Sequence, residues 1–525
     1  MTKQKNHSLE ECALRYVPRA FRIWPSWVVA ITALGGIAYL ADFAIGASIG
    51  LAYGALNAIC AILFAAIIIF ITGFPLAYYA SKYNIDLDLI TRGSGFGYYG
   101  SVLTSVIFAS FTFIFFALEG AIMSQGLQLG LGIPLWLGYI VSTLLVIPLV
   151  VYGMRALSKL QVWTTPVWLI LMSCPVIYLL CHNPNAISHW LAYHGSEKYG
   201  VLNPAAIILG AGIALSLMGQ IGEQIDYLRF MPTKTEATKK SWWLSVILAG
   251  PGWVILGALK QMMGAFLAFS ILATTSAAVA TQPVQQFMHT YHLFLPRSVA
   301  ITLSVILVVL SQIKINVTNA YSGSLAWTNA FTRLTRRYPG RIWFVLFNVS
   351  IALILMETNM FSFLSNILSF YSNCAIAWVV VVATDIAINK YVLKLSPKIP
   401  EYRRSMLYAI NPVGFIAFIL SAGLSISIYF GLFGKMLSAY SPLAAILIAL
   451  FATPLLAMMT RGKFYLRKKH DGIDSPRFNK KGIASSDTFA CRICHHDYER
   501  PDVIYSSKRK GVICSLCEVM ELRPY

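Results

Sequence analysis

The sequence predicts an all-α polytopic membrane protein, and three observations carry that prediction. Twelve apolar runs lie between Trp24 and Thr460, each near the roughly 20 residues needed to cross a hydrocarbon core. The chain of 525 residues is 57% hydrophobic and 12% charged, half the ~25% charge of a soluble globule. Its mean hydropathy is +0.66. Lys and Arg gather in every second gap between the runs, as they do in cytoplasmic loops. The net charge of +20 therefore reads as loop asymmetry rather than as a nucleic-acid footprint.

The expected spans are 25–45, 51–74, 98–127, 133–152, 161–181 and 204–228, then 242–272, 297–323, 342–357, 360–386, 406–430 and 441–460. Alternate loops hold seventeen basic residues, among them Lys82, Arg92, Arg229, Arg333 and Arg403. The opposite loops hold three, Lys198, Arg297 and Lys435. This bias places both termini in the cytoplasm of a cell (inner) membrane protein and requires an even number of spans. Residues 1–24 are basic and lack a separate apolar core and cleavage site, so the first span is expected to be retained.

A second layer of organisation lies in the glycines. Gly35 and Gly36 sit near the centre of span 1, and Gly210 and Gly212 lie in span 6. Broken helices at matching positions of two five-span halves point to an inverted repeat with a binding site at the midplane. Close helix packing is the alternative use of such glycines.

Ionisable groups inside a bilayer cost ~2.5–3.5 kcal/mol each on insertion scales, so each needs a reason. Asp42 lies in span 1, Glu119 in span 3, Glu223 and Asp226 in span 6, Lys260 in span 7 and Lys314 in span 8. Gln312, Asn316, Asn319 and Gly323 form one stripe of span 8, while Lys314, Thr318 and Tyr321 form the opposite one. A helix polar on two faces belongs in the centre of a bundle. Phe115 precedes Glu119 by one turn on the same face, an arrangement suited to a flat ligand with N–H donors. Pairing of Glu119 with Lys260 or Lys314, or of Lys314 with a carboxylate, is the competing structural reading. Ser216, Gln220, Glu223 and Tyr227 repeat the polar stripe on span 6. No constellation for catalysis stands out, so an enzyme is not expected. Gly95-Phe96-Gly97-Tyr98-Tyr99-Gly100 mimics a dinucleotide fingerprint, but it follows no strand and opens a membrane span.

Over roughly residues 13–460 the chain resembles the first nucleobase:cation symporter family, the purine–cytosine permease group. Pro18-Arg19 through Arg22-Ile23-Trp24 resembles its approach to span 1, and Arg92 with Phe96-Gly97 and Gly100-Ser101 its approach to span 3. Asp226-Tyr227-Leu228-Arg229-Phe230 resembles its exit from span 6, with Leu228 in place of a hydroxyl residue, and the stretch Asn319 to Ala326 resembles its span 8. The resemblance implies a LeuT-like core of ten helices plus two. It also implies secondary transport by alternating access of a small planar nitrogenous compound: a nucleobase, a related heterocycle or a vitamin. It places Phe115, Glu119 and Asn319 at the ligand, to which the polar stripe of span 6 adds Gln220, and it puts Leu217 or Met218 where members carry a stacking Trp. Sodium-coupled members use two adjacent hydroxyl residues where this chain has Ile313 and Lys314. Lys314 is accordingly expected to replace sodium, with Asp42 and Asn316 as further coupling candidates and protons as the coupling ion.

After Thr460 the spans end. Residues 461–490 read as a basic linker, and 491–525 as a module holding Cys491-x2-Cys494-x19-Cys514-x2-Cys517. Paired C-x2-C knuckles at this distance predict a structural zinc site of four thiolates; no organic cofactor is expected. Cys12, Cys60, Cys174, Cys181 and Cys374 are scattered and read as packing residues. The tail resembles the cysteine-rich joint linking permease-like domains to bacterial sensor kinases, carried by Ile513-Cys514-Ser515-Leu516-Cys517. That resemblance implies an alternative role, a transporter-like sensor with a cytoplasmic signalling partner.

Overall fold

A computed structural model describes residues 14–151, 153–197, 199–358, 364–479 and 482–521. Cys12, Lys198 and residues 522–525 of the cysteine module lie outside the described residues. Among these, nine helices are long and apolar enough to cross a membrane, and a pair bent by 50° makes a tenth. Two 17-residue helices, Leu135–Val151 and Arg341–Glu357, lie at the positions of the expected spans 4 and 9.

Span 1 comprises Ser26–Gly35, a tight turn at Gly36–Ala38 and Ala41–Tyr53. It thus runs to Tyr53 rather than to residue 45. Span 2 is Ala55–Tyr83 and ends where Asn84 turns left-handed. Span 3 is Ser101–Leu131, span 4 Leu135–Val151 and span 5 Gly153–His182. Span 6 joins Pro204–Leu215 to Gln220–Leu228 through a tight turn at Ser216–Gly219. Asn203 accepts from the Ala205 and Ala206 amides, with Pro204 at the first helical position, where its missing N–H costs nothing. Span 7 is interrupted at residues 250–252 between Lys239–Ala249 and Trp253–Leu272. Span 8, Arg297–Thr335, runs twelve residues past its expected end, because the chain beyond the bilayer continues as helix against the tail. Span 9 is Arg341–Glu357 and span 10 begins at Leu364. Span 11 starts only at Pro412, capped by Asn411, and span 12 is Ser441–Met459.

Spans 3 and 8 pack along most of their length, and the second half of span 1 packs on span 7. Lipid-facing positions are apolar and open, such as Trp163 at 80% exposure, as a hydrocarbon solvent requires. Both expected faces of span 8 are buried. Gly323 lies against Thr112 of span 3, while Thr318 lies against Gly36 of span 1. Asp385, at the end of span 10, is buried, 3.6 Å from Lys390 and bonded to Asn389 and Tyr465.

The tail folds on the face that carries the described N-terminal segment. β1 (Thr488–Ala490) pairs antiparallel with β2 (Asp497–Glu499), and β3 (Val503–Ser506) with β4 (Gly511–Cys514). A short helix, Ser515–Met520, follows. Val503, Ile504, Ile513 and Tyr498 form a small core of its own with the cysteines.

Candidate functional site

The tight turn in span 1 leaves main-chain carbonyls without helical partners. Lys260, reaching across from span 7, fills that gap: its Nζ donates to Ile37 O at 2.6 Å and to Tyr39 O at 2.9 Å. The same ammonium lies 2.8 Å from Asp42 Oδ2 and 3.9 Å from the Tyr39 ring centroid. Gln261 donates to the other Asp42 oxygen at 2.8 Å. Carbonyl dipoles, a carboxylate and an aromatic face thus converge on one fixed cation. The pairing of Lys260 with Glu119 that the sequence allows does not form; Lys260 takes Asp42 instead.

Gly35 and Gly36 have ordinary right-handed dihedrals, so their use is proximity. A Cβ at Gly35 would meet Gln161 of span 5 at 2.6 Å, and one at Gly36 would meet Thr318 at 3.3 Å. Gly210 and Gly212 lie within regular helix. They seat Ile49 and Ala61 in the first case and Pro442 in the second. The irregular turn of span 6 falls further on, at Ser216–Gly219. Leu217 and Met218 are buried in that turn, and Gly219 admits the ring of Phe111.

Glu119 is fully buried, and neither of its oxygens accepts a hydrogen bond of normal geometry, although Gln312 and the Ala41 amide lie beside it. Gln312 has both amide atoms unpartnered. Asn319 Nδ2 donates to Asn316 Oδ1 at 3.2 Å, leaving Asn319 Oδ1 and Asn316 Nδ2 without partners. Gln220 Nε2 donates to Glu223 Oε2 at 2.7 Å, leaving Glu223 Oε1 open. Asp42, Glu119 and Glu223 all lie within electrostatic range of Tyr39. Phe115 is buried one turn from Glu119 and packs on Phe111 at 4.5 Å between centroids. Native interiors satisfy nearly all buried polar atoms, so this group of unpartnered atoms is a candidate ligand site.

Lys314 belongs to the other face of span 8. Its Nζ donates to Thr164 and Thr165 at 2.9 Å and to Gln161 O at 3.1 Å, all on span 5. No described carboxylate pairs with it.

On the tail-bearing face, polar contacts tie neighbouring segments of the chain together. Arg229 lies 3.4 Å from Asp86 and donates to Tyr321 at 3.0 Å. Arg333 lies 3.9 Å from Asp88 and donates to Ser101 and Ser105. Arg92 donates to Asn329 at 2.7 Å, and Arg22 to Asn84 at 2.8 Å. Asp226 lies within electrostatic range of both Arg229 and Glu223, between this network and the central cluster.

The four tail cysteines are brought together: their sulfurs all lie within 4.8 Å of one another, with no disulfide. Cys514 N–H points to Cys491 Sγ at 3.3 Å and Cys517 N–H to Cys514 Sγ at 3.4 Å, contacts that favour thiolates. His496 instead turns its ring to Cys494 O. The donor set fits a metal ion.

Two discontinuous helices meeting at a polar midplane, inside an inverted five-plus-five repeat, define a secondary transporter. The profile of permeases for cytosine/purines, uracil, thiamine and allantoin matches residues 16–450, and the chain belongs to that family. It is a carrier of nucleobase-like compounds, not an enzyme family. Among solved structures, a nucleobase-cation-symport-1 family transporter, Mhp1, in a closed conformation with bromovinylhydantoin bound is 16% identical, with a TM-score of 0.62 over 86% of this chain and 99% of that one. Mhp1 in an inward-facing conformation is 17% identical, with a TM-score of 0.58 over 84% and 95%. A Na+-coupled sialic acid symporter is 11% identical, with a TM-score of 0.58 over 87% and 93%. No curated protein matches.

Proposed function

We propose that the ligand sits where spans 1, 3, 6 and 8 meet, held by Phe115, Glu119, Gln220 and Asn319. The supporting observation is the set of buried, unpartnered atoms on Glu119, Gln312, Asn316 and Asn319. Phe115 offers a face for a planar ring, and Glu119 accepts its N–H groups. Gly35 and Gly36 let spans 5 and 8 approach the turn in span 1. The contacts around Arg229 and Arg333 close the pathway on one side, and their rupture opens it. The basic-residue asymmetry assigns that side, with the tail, to the cytoplasm of an inner-membrane protein.

Coupling is to protons rather than sodium in this reading. The turn in span 1 already holds the Lys260 ammonium, and Lys314 presents donors rather than oxygens at its own position. Cys491, Cys494, Cys514 and Cys517 would hold a structural zinc ion, which would cross-link the two knuckles. The test is uptake into proteoliposomes of the compounds named for the family. Glu119→Gln should lower uptake at least tenfold, and a sodium gradient should have no effect. Uptake indifferent to Glu119 would place the ligand elsewhere.

A further inference from the structure

Charge in the central cluster does not balance. Asp42 and Glu119 lie within electrostatic range of one ammonium, Lys260, and Glu223 within range of Glu119 and Asp226. Lys260 is committed to Asp42 and to two carbonyls of the span 1 turn. Glu119 and Glu223 have no cation within ion-pair distance among the described residues. The other buried cations look elsewhere. Lys314 is bonded to span 5, Arg229 lies against Asp86, and Arg333 against Asp88. Without an ion-pair partner in a region of low dielectric, each of these two carboxylates calls for a neighbouring positive charge or a proton.

From this we infer that the ligand is an organic cation, a planar heterocycle carrying a quaternary or protonated nitrogen. The inference rests on the central cluster being the ligand site. A delocalised cation satisfies more of the cluster than a neutral base does. Its charge offsets Glu119, its face lies on Phe115, where a cation gains from the ring quadrupole, and its N–H groups or polar substituents reach Gln312 and Asn319. Glu223, held by Gln220, is left to hold a proton. Lys260 excludes a second inorganic cation from the span 1 turn, so the positive charge in the pocket is the ligand's own.

The purified full-length protein should be titrated calorimetrically with thiamine, whose thiazolium is permanently charged, and with neutral uracil and allantoin. Thiamine should bind at least tenfold more tightly than either. Glu119→Gln should weaken thiamine by about 10–100-fold, as expected for loss of a charge-assisted contact, and weaken the neutral compounds by a smaller factor. Tighter binding of a neutral compound, or thiamine binding indifferent to Glu119→Gln and Glu223→Gln, overturns the cation inference while the carrier reading stands. Binding of neither class, with no uptake of either, removes both.

A second inference comes from the tail. The acidic side of the cysteine module grips the segment that leads into span 1. Arg15 Nη2 lies 2.7 Å from Asp502, and Asp502 is tied to Ser515 beside the second knuckle. Arg19 N–H donates to Glu499 at 2.7 Å. On the other flank, Arg404 and Ser405 amides donate to Glu518 at 3.1 and 2.8 Å, and Tyr402 donates to Pro501 O at 2.6 Å. The same N-terminal segment is pinned from within, by Val17 N–H to Asn84 O at 2.9 Å, and Asn84 caps the chain at Arg229 and Met231.

We propose that the module is a metal-dependent latch that holds this face of the carrier closed. Hydrogen exchange followed by mass spectrometry on the intact protein tests it, reading residues 14–24, 84–97 and 226–231. Chelation should expose the module and raise exchange in all three segments by about tenfold or more. Arg15→Asp and Asp502→Arg should each do the same, and the double reversal should restore protection. If chelation unfolds residues 488–517 while those segments stay protected, or if the double reversal fails to restore what both singles lost, the latch is overturned.

Discussion

Arg15 and Asp502 are 487 positions apart and meet in a contact of 2.7 Å that is almost closed to solvent, with side-chain exposures of 14% and 3%. The contact joins the two ends of the described chain on one face of the bundle. Breaking it leaves a buried charge without its partner. The cost should fall between the ~1 kcal/mol of an exposed pair and the ~3–5 kcal/mol of a fully buried one. Asp502→Asn should therefore increase protease cutting of the 461–487 stretch in the intact protein without unfolding the helices. Unaltered cutting would show that the remaining contacts, among them Glu518 and Tyr402, suffice to hold the tail.

The Lys260–Asp42 pair should behave as a unit. Both side chains are fully buried, so Lys260→Met should cost about 3–5 kcal/mol by stranding the carboxylate. Adding Asp42→Leu should recover most of that loss, a coupling read from the thermal midpoints of the two singles and the double. Additive losses would mean that the two charges do not depend on each other.

Gly35 and Gly423 make a matched pair. Gly35→Ala forces a methyl to 2.6 Å from Gln161, whereas nothing lies within 4 Å of a methyl at Gly423. Overpacking at the first should cost about 1–3 kcal/mol. At the second, a mid-helix Gly→Ala change should be neutral or stabilise by up to ~1 kcal/mol. Thermal unfolding of the two variants checks the contrast, and equal midpoints would deny the close approach of spans 1 and 5.

Glu401 gives the tail an acid limit. Burial pushes its carboxyl up, but Arg403 and Arg477 outweigh that and bring it down from 4.5 to about 2. A depressed carboxyl stabilises the folded form above its unfolded value of about 4.5, and that contribution fades as pH falls from about 4.5 to about 2. The amount is about 3 kcal/mol. Glu401→Gln should abolish this part of the pH dependence of tail docking, measured by exchange of residues 399–406. An identical acid profile in both proteins would contradict the assignment.

Lys314 should be dispensable for folding and not for coupling. Thr164 and Thr165 already bond to carbonyls of their own helix, so Lys314→Met leaves them satisfied. Uptake by this variant should lose its dependence on a proton gradient. A variant with unaltered proton dependence would restrict Lys314 to packing spans 5 and 8 together.

The sequence by itself determined the twelve apolar stretches, the two polar faces of span 8 and the four cysteines that converge in the tail. Each is a local property: hydropathy over about 20 residues, a helical repeat, or paired C-x2-C spacing carries it. Even the turn in span 1 was legible from Gly35-Gly36. Only the tertiary structure decided which carboxylate takes Lys260, that span 6 turns at Ser216–Gly219 rather than at Gly210 and Gly212, and that the tail folds back on Arg15. Those outcomes depend on which groups come within 3 Å across distant spans. A buried charge takes whichever partner the packing brings nearest, and no one-dimensional pattern records that proximity.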